Sequence, residues 1–286
     1  MTHRLADVSA RIQGIRQLGT VVNAIRGIAA ARALQARSQL ISVDSYANTI
    51  AVAISRAMLL APVARSAGSP KSVRSALVVF CAEQGFAGAF SECVLDAVAP
   101  LITRAELFLV GTRGQIVAAE RAIAAGWKGA MPAHSTGIPK LADRIAEALY
   151  ARIAMGEIDQ LDAVFSQKTS GQGLCIERRR LFPVDLTTFP LPTNADTPLL
   201  NVPPDVLLGE LTADYVHAQL CSAALHAFAA ENEARMEAMA SARTQIERQL
   251  SQLHATQQHV RQEEITAEII ELAAGETASR SGQRLR

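Results

Sequence analysis

The sequence predicts an α/β protein in which the N- and C-terminal helices form a long antiparallel coiled coil. A small, mostly parallel, Rossmann-like α/β domain is inserted between these two helices in the sequence. The first observation is that residues 205–274 contain no Pro and only one Gly, Gly209. A single helix of that length would reach roughly 100 Å, which is too long to be buried in this chain alone. The second is that short apolar runs alternate with helical stretches in the middle of the chain, a pattern typical of a parallel sheet.

The composition favours helices and excludes several classes of protein. Of the 286 residues, 49% are hydrophobic but only 4% are aromatic, and Ala, the best helix former, is abundant. A net charge of +1 provides no overall attraction to nucleic acid or anionic lipid. The four cysteines form no C-x-x-C pair, so neither a disulfide framework nor a zinc site is expected. No apolar segment is long enough to span a bilayer.

The N-terminal helix is expected over residues 1–61. Apolar residues recur at intervals of three and four from Leu5 through Val8 and Ile12, which places them in one stripe of a helix. The same segment contains Gly14, Gly19 and Gly27, each of which weakens a helix by ~1 kcal/mol relative to Ala. We therefore expect a partner helix that stabilises it by packing.

The central domain is expected over residues 73–188, after a linker at 62–72. Strands are predicted at Ala76–Phe80, Glu106–Val110 and Ala163–Gln167, and helices near Ala89–Thr103, Arg113–Ala125 and Ile138–Met155. A Pro-rich stretch at 189–204 then leads to the last helix.

The C-terminal helix is expected over residues 205–276, followed by a flexible tail at 277–286. Its apolar residues keep a three-four spacing from Met236 to Val260, with Arg243 and Gln257 at two positions of the seam. After a phase slip near Glu263, the spacing continues through three more apolar residues: Ile265, Ile269 and Leu272. The two terminal helices are therefore predicted to be each other's partner.

Few residues suggest chemistry. Gly85 and Gly88 follow a strand, where a phosphate-binding loop would lie, but no full dinucleotide or P-loop pattern is present, so a tight turn is the better interpretation. His254 and His259 do not share a helix face, as metal ligands would. The one concentrated basic run consists of Arg178, Arg179 and Arg180. It could contact acidic loops or lipid headgroups, or it could be the solvated end of a strand. No cofactor, metal or catalytic site is predicted.

Three segments resemble one known family. The sequences AAENEARMEAM at 229–239 and RQEEITAEIIELAAG at 261–275 resemble the last helix of the gamma subunit of F-type ATP synthases. Arg11-Ile12, Thr20, Ala24 and the run 29–32 resemble the first helix of that family, and AEQGFAGAFS at 82–91 resembles the turn after its first strand. Five positions depart from the family pattern and suggest a divergent, alternative or ion-specialised branch: Asn23, Ile25, Arg243 and the pair Glu83-Gln84.

This resemblance implies a non-catalytic rotor in the central stalk. Its partners would be the alpha and beta subunits of the catalytic head, the epsilon subunit and the membrane c ring, with no nucleic acid. The rotor would couple proton or sodium flow to ATP synthesis or hydrolysis, as a peripheral subunit at the cytoplasmic face of the inner (plasma) membrane. The resemblance assigns head contacts to Arg261, Gln262, Thr266 and Glu268, with Ile25 at a further contact position. The basic run 178–180 would be a possible contact at the foot.

Two other functions remain open from the residues alone. The first is a nucleotide- or small-molecule-binding α/β protein that uses the turn at 85–88, and the second is a coiled-coil scaffold without energy coupling. Calorimetry with nucleotides would identify the first, because the rotor is expected to bind none by itself. Replacing Arg261 and Gln262 by Ala would separate a scaffold, which should tolerate both changes, from a rotor.

Overall fold

The computed structural model describes residues 2–60, 74–169, 173–185, 189 and 200–283. The predicted linker at 62–72, most of the Pro-rich stretch and the last three residues lie outside this part. Contacts divide the chain into two compact units. The terminal unit contains residues 1–27 and 237–286, and the central unit contains residues 28–236.

Five α-helices and five strands follow one another in the described part of the chain. They are α1 (Thr2–Met58), β1 (Ser75–Phe80), α2 (Phe90–Ile102), β2 (Ala105–Val110), α3 (Thr112–Glu120), β3 (Trp127–Gly129), α4 (Ile138–Ala154), β4 (Gln160–Thr169), β5 (Gly173–Phe182) and α5 (Pro204–Gln283), with a 3-10 turn at Ser135–Gly137 before α4. This architecture confirms the predicted fold class. The backbone of α5 stays helical beyond the expected end at residue 276, as far as Gln283.

The sheet of the central unit has the order β3-β2-β1-β4-β5. The pairings among β3, β2, β1 and β4 are parallel, and only β5 is antiparallel to its neighbour. Successive residues of β1 are buried in different clusters: Val78 lies with α4 and α5 residues, whereas Leu77 and Val79 lie with α2 and α3 residues. Burial on both faces explains why β1 is apolar throughout rather than alternating.

Two strands and one helix end differ from the sequence prediction. β3 has only three residues, and β5 contains the charged run at 177–180, so neither has the apolar pattern by which strands are recognised. α3 was expected to extend to Ala125 but ends at Glu120. Ala122 has a φ of 55°, and the Ile123 amide donates to the Ala118 carbonyl at 2.8 Å, a left-handed closure that ends the helix.

In the terminal unit, α1 and α5 run antiparallel. Three polar contacts between the helices show this direction, because the residue number in α5 decreases as the residue number in α1 increases. The contacts are Arg4 with Glu263 at 3.2 Å, Ser9 with Gln257 at 2.9 Å, and Arg16 with His254 at 3.2 Å. An apolar cluster lies along the same seam, with Val22, Met239 and Ile246 buried at its centre. The predicted antiparallel pairing of the terminal helices is confirmed.

The predicted phase slip near Glu263 is wrong. The more buried positions of α5 continue through Gln257, Val260 and Glu264 with unchanged three-four spacing. Ile265 and Leu272, which were expected at the seam, are 49% and 75% exposed. The physical reason is the register of the two helices: α1 packs against the face of α5 that contains Gln257, Val260 and Glu264. Ile265 and Leu272 are seven residues apart and share a different face, which is turned away from α1.

Arg243 was also expected at the seam, and this too is wrong. Its side chain is half exposed and binds Glu247 of the same helix at 2.8 Å, while the neighbouring Ala242 packs against the apolar cluster. A small side chain allows the two helices to approach closely at this level. The long Arg243 side chain instead stays at the surface, where its charge remains hydrated.

Candidate functional site

The four predicted contact residues of α5 all lie on its exposed surface. The Thr266 hydroxyl donates to the Gln262 carbonyl at 2.8 Å and is therefore engaged within its own helix. Among the described residues, the side chains of Arg261, Gln262 and Glu268 have no hydrogen-bond or ion-pair partner. Their polar groups are available to another molecule.

Exposed apolar side chains accompany these polar residues, and the sequence interpretation missed them because it assigned them to the seam. Residues three, four or seven apart share a helix face, so Ile265 lies next to Arg261, and Leu272 lies next to Glu268. Large apolar side chains exposed in a group indicate an interaction site. We use the term C-terminal face for these polar and apolar residues together: Arg261, Gln262, Ile265, Thr266, Glu268, Ile269 and Leu272.

Ile25 has a different position from the other predicted head contacts. It is only half buried, but it packs against the cluster formed by Val22, Met239 and Ile246. The neighbouring Asn23 is exposed. Part of the Ile25 surface is thus committed to holding α1 against α5, and the structure does not bring Ile25 together with the C-terminal face.

In the central unit, the basic run lies within β5 and surrounds a buried carboxylate. Asp162 of β4 is 1% exposed and accepts hydrogen bonds from Arg178 Nε at 2.9 Å and Arg180 Nε at 2.6 Å. Burial by itself would raise the pKa of Asp162. The hydrogen bonds and positive charges of Arg178 and Arg180 outweigh burial and hold that pKa below its usual value. Asp162 was not singled out in the sequence, because only the antiparallel register of β4 and β5 places it opposite Arg180.

Arg179 points its guanidinium towards other partners. It binds Glu177 at 2.9 Å and Gln219 of α5 at 3.0 Å, and it lies 5.0 Å from the centre of the Phe165 ring. The cation–π contact adds to the pairing of β5 with β4, whereas the hydrogen bond to Gln219 connects β5 to α5. The three arginines are therefore tied to their own unit, although Arg178 and Arg180 remain 43% and 48% exposed.

The turn after β1 is held from α5 by a buried ion pair. The Glu231 carboxylate accepts hydrogen bonds from the amides of Glu83 at 3.1 Å and Gln84 at 3.2 Å. Arg235 pairs with Glu231 and donates to the carbonyls of Gly85 at 3.1 Å and Gln84 at 3.3 Å. In a phosphate-binding protein, amides at this point of the fold would bind the ligand. Here a carboxylate of the same chain binds them, which favours the structural interpretation of the turn.

Glu83 ties the same turn to two further segments. Its carboxylate accepts hydrogen bonds from the Thr112 amide at 2.9 Å, the Thr112 hydroxyl at 2.7 Å and the Met131 amide at 2.8 Å. These contacts connect the segments that follow β1, β2 and β3, at the carboxyl ends of the three strands. Glu83 departs from the family pattern in the sequence, and its role here is to hold these three segments together.

Other candidate chemistry is limited. His254 contacts Arg16, whereas His259 contacts Glu263 at 3.1 Å, so the two histidines have separate partners. In the part of the chain that the structure describes, no three His, Cys, Asp or Glu side chains are grouped so that they could hold a metal ion. None of the described helices is both long and apolar enough to cross a bilayer.

Comparisons with known proteins identify the family. The family model described as ATP synthase matches residues 4–278. The ATP synthase gamma chain of Frankia casuarinae is 27% identical over 297 residues, covering 99% of this chain and all of that protein. The gamma chain of Bdellovibrio bacteriovorus is 24% identical over 295 residues, covering 96% of this chain and 98% of its own length.

Solved structures agree with this fold. A chain of the Euglena gracilis mitochondrial ATP synthase is similar with a TM-score of 0.68 and 13% identity, covering 99% of this chain and 97% of that one. A chain of the Tetrahymena thermophila mitochondrial ATP synthase central stalk and c-ring structure has a TM-score of 0.59 and 14% identity, covering 78% and 99%. Taken with the match of the family model over nearly the whole sequence, these findings show that the chain belongs to the gamma subunit family of F-type ATP synthases.

Proposed function

We propose that this chain uses the C-terminal face to engage the alpha and beta subunits of a catalytic head while it turns as the rotor of a rotary F-type ATP synthase. As a central-stalk subunit of that complex, the chain is itself non-catalytic. Its task is to transmit torque between a membrane ring that translocates ions and the head that makes or hydrolyses ATP.

The observation that carries this proposal is the chemistry of the C-terminal face. Arg261 and Gln262 are exposed without partners among the described residues, next to the exposed Ile265. A guanidinium or amide forms strong hydrogen bonds only when its partner lies in the right direction. Contacts of this kind form at one rotational position and break at the next, while the apolar side chains keep water out of the interface.

For Ile25, the packing against α5 supports an indirect role. Its partial burial in the apolar cluster means that it supports the helix pair as well as any partner it touches. Thr266 and Glu268 belong to the C-terminal face and are proposed as secondary contacts. Thr266 offers only acceptor capacity, because its proton is already donated to the Gln262 carbonyl.

For the central unit, we propose that the basic run 178–180 faces the foot partners, the epsilon subunit and the c ring. Arg178 and Arg180 share the single carboxylate of Asp162 and keep about half of their surface exposed. Two guanidinium groups thus share the one carboxylate of Asp162 in the described ion pairs, and this excess of positive charge suits contact with acidic loops. The corresponding location is peripheral, at the cytoplasmic face of the inner (plasma) membrane.

The test is to co-express the chain with its alpha and beta subunits, purify through a tag on beta and measure ATP hydrolysis. The variant R261A/Q262A is compared with R248A/Q258A, which removes the same two side-chain types from other exposed positions of α5. We expect hydrolysis to fall roughly tenfold in the first variant alone, because one charge-assisted hydrogen bond contributes about 1.5 kcal/mol. Equal activity of the two variants would contradict the proposal and favour a scaffold.

A further inference from the structure

His226 of α5 is a titratable side chain that the proposed function does not use, and it lies where α5 meets the edge of the sheet. It is half-buried, and its imidazole ring stacks on Phe165 of β4 with the ring centres 5.5 Å apart and the planes inclined by 22°. Among the described residues, neither ring nitrogen has a hydrogen-bond or ion-pair partner. A protonated imidazole has two N–H donors and a charge to satisfy, so these surroundings suit the neutral ring better.

A positive charge of the edge strand lies close to the same aromatic ring. The guanidinium of Arg179 in β5 is 5.0 Å from the centre of the Phe165 ring, and it donates to Gln219 of α5 at 3.0 Å. Phe165 therefore brings the His226 imidazole and the Arg179 guanidinium into one cluster that connects α5 with β4 and β5. A second positive charge, on His226, would be repelled by Arg179, because solvent screens charges only weakly in a partly buried cluster.

Two carboxylates act on His226 from neighbouring elements, but each already has another partner. Glu177 of β5 accepts a hydrogen bond from Arg179 Nε at 2.9 Å. Asp44 of α1 is exposed and accepts a hydrogen bond from the Ser222 hydroxyl at 3.3 Å. Burial and the positive charge of Arg179 outweigh these two carboxylates and hold the pKa of His226 below its usual value.

We propose that His226 is a proton-sensitive connection between α5 and the edge strands β4 and β5. The neutral ring packs on Phe165 and holds these strands against α5, whereas protonation places a second positive charge near Arg179 and weakens the packing. An unperturbed imidazole changes its charge near pH 6.5, so mild acidification is enough to act on such a group. Because β5 contains the basic run 178–180, acid would also loosen the proposed foot contact, and only this consequence rests on the proposed function.

The first test is a urea titration of the full chain at pH 7.5 and at pH 5.5, followed by the fluorescence of Trp127 in the central unit. Since the folded chain favours the neutral ring, its stabilising contribution is fully present above the unfolded pKa of about 6.5 and is lost as the pH falls through the lower folded value. We therefore expect a lower urea midpoint at pH 5.5. The variant H226F keeps an aromatic ring on Phe165 but cannot be charged, and it should lose most of that decrease.

The matched control is H217Q. His217 lies on the same helix and in the same unit, but it contacts the Asp143 carboxylate at 2.9 Å, so protonation favours its ion pair. H217Q should therefore keep at least the full decrease in midpoint between pH 7.5 and pH 5.5. The variant R179Q removes the repelling charge and should reduce the decrease.

Hydrogen exchange followed by mass spectrometry locates the effect. After correction for the intrinsic exchange rate at each pH, the amides of β4 and β5 should exchange faster at pH 5.5 than at pH 7.5, whereas those of β2 should not. H226F should abolish this difference, and H226Q serves as a second uncharged replacement in case H226F does not fold. An unchanged acid response in the folded variants would overturn the proposal. A higher midpoint at pH 5.5 that depends on His226 would overturn it as well, because it would show that Asp44 or Glu177 binds the charged ring.

Discussion

The buried pair of Glu231 and Arg235 allows a sharp test of how the turn after β1 is held. Both side chains are almost fully buried, with 4% and 6% of their surfaces exposed. The variant R235A leaves the Glu231 carboxylate inside the protein with only the two amides of the turn as donors. It also removes the donor that binds the carbonyls of Gln84 and Gly85.

The expected magnitude follows from this burial. Removing one partner of a buried ion pair costs about 3–5 kcal/mol, because the remaining charge is uncompensated. We therefore expect R235A to lower the free energy of unfolding of the central unit by about 4 kcal/mol, a large part of the 5–15 kcal/mol typical of a domain. The double variant E231Q/R235M should recover part of the loss, because a neutral amide replaces the buried charge.

The assay is a urea titration of the full chain followed by tryptophan fluorescence. Trp127 is the only tryptophan of the sequence, and it stacks on Phe108 in the central unit, so its emission reports unfolding of that unit. R121A is the matched control, since Arg121 lies in the same unit and pairs with the exposed Asp96 at 2.5 Å. Such exposed pairs contribute about 0.2–1 kcal/mol. If R235A and R121A shift the midpoint equally, the reasoning about the buried pair is refuted.

Two further predictions concern acid stability and helix propensity. Because the pKa of Asp162 is lower in the folded chain than its unfolded value of about 3.9, its stabilising contribution is present above about pH 4 and is lost as the pH falls through the folded value. D162N should therefore flatten the decline in stability below pH 4 in acid titrations followed by fluorescence, and an unchanged slope would contradict this pairing with Arg178 and Arg180. G14A and G27A should each raise the helix content or stability of the terminal unit by up to ~1 kcal/mol in circular dichroism melts, since an added Cβ meets no atom within 4 Å at either position. A loss of stability in either variant would show that glycine is needed there.

Most of the fold could be predicted from local patterns. The long terminal helices can be recognised by apolar residues at intervals of three and four. The buried parallel strands β1 and β2 can be recognised as continuous apolar runs. β3 and β5 could not be recognised in this way, because edge strands need only one neighbour and can carry charged residues such as Arg178. Their formation depends on the strand beside them.

The candidate site was predictable only in part. Arg261 and Gln262 were identified by resemblance to a family, and the structure places both on an exposed helix surface. The neighbouring apolar side chains were misassigned, because the spacing of Ile265 and Ile269 also fits a coiled-coil seam. Which face of α5 is buried depends on the register between α1 and α5, which the spacing within α5 alone does not determine.

The sequence by itself determined the class of fold, the order of its elements and the family of the chain, since these follow from periodicity, propensity and motifs along the chain. Only the tertiary structure decided which charges are neutralised and which surfaces stay open. Asp162 meets Arg178 and Arg180 because β5 pairs antiparallel with β4, and Glu231 closes the turn at 83–85 because α5 packs there. Such contacts join residues distant along the chain, so their energies depend on packing geometry and burial that no local pattern contains.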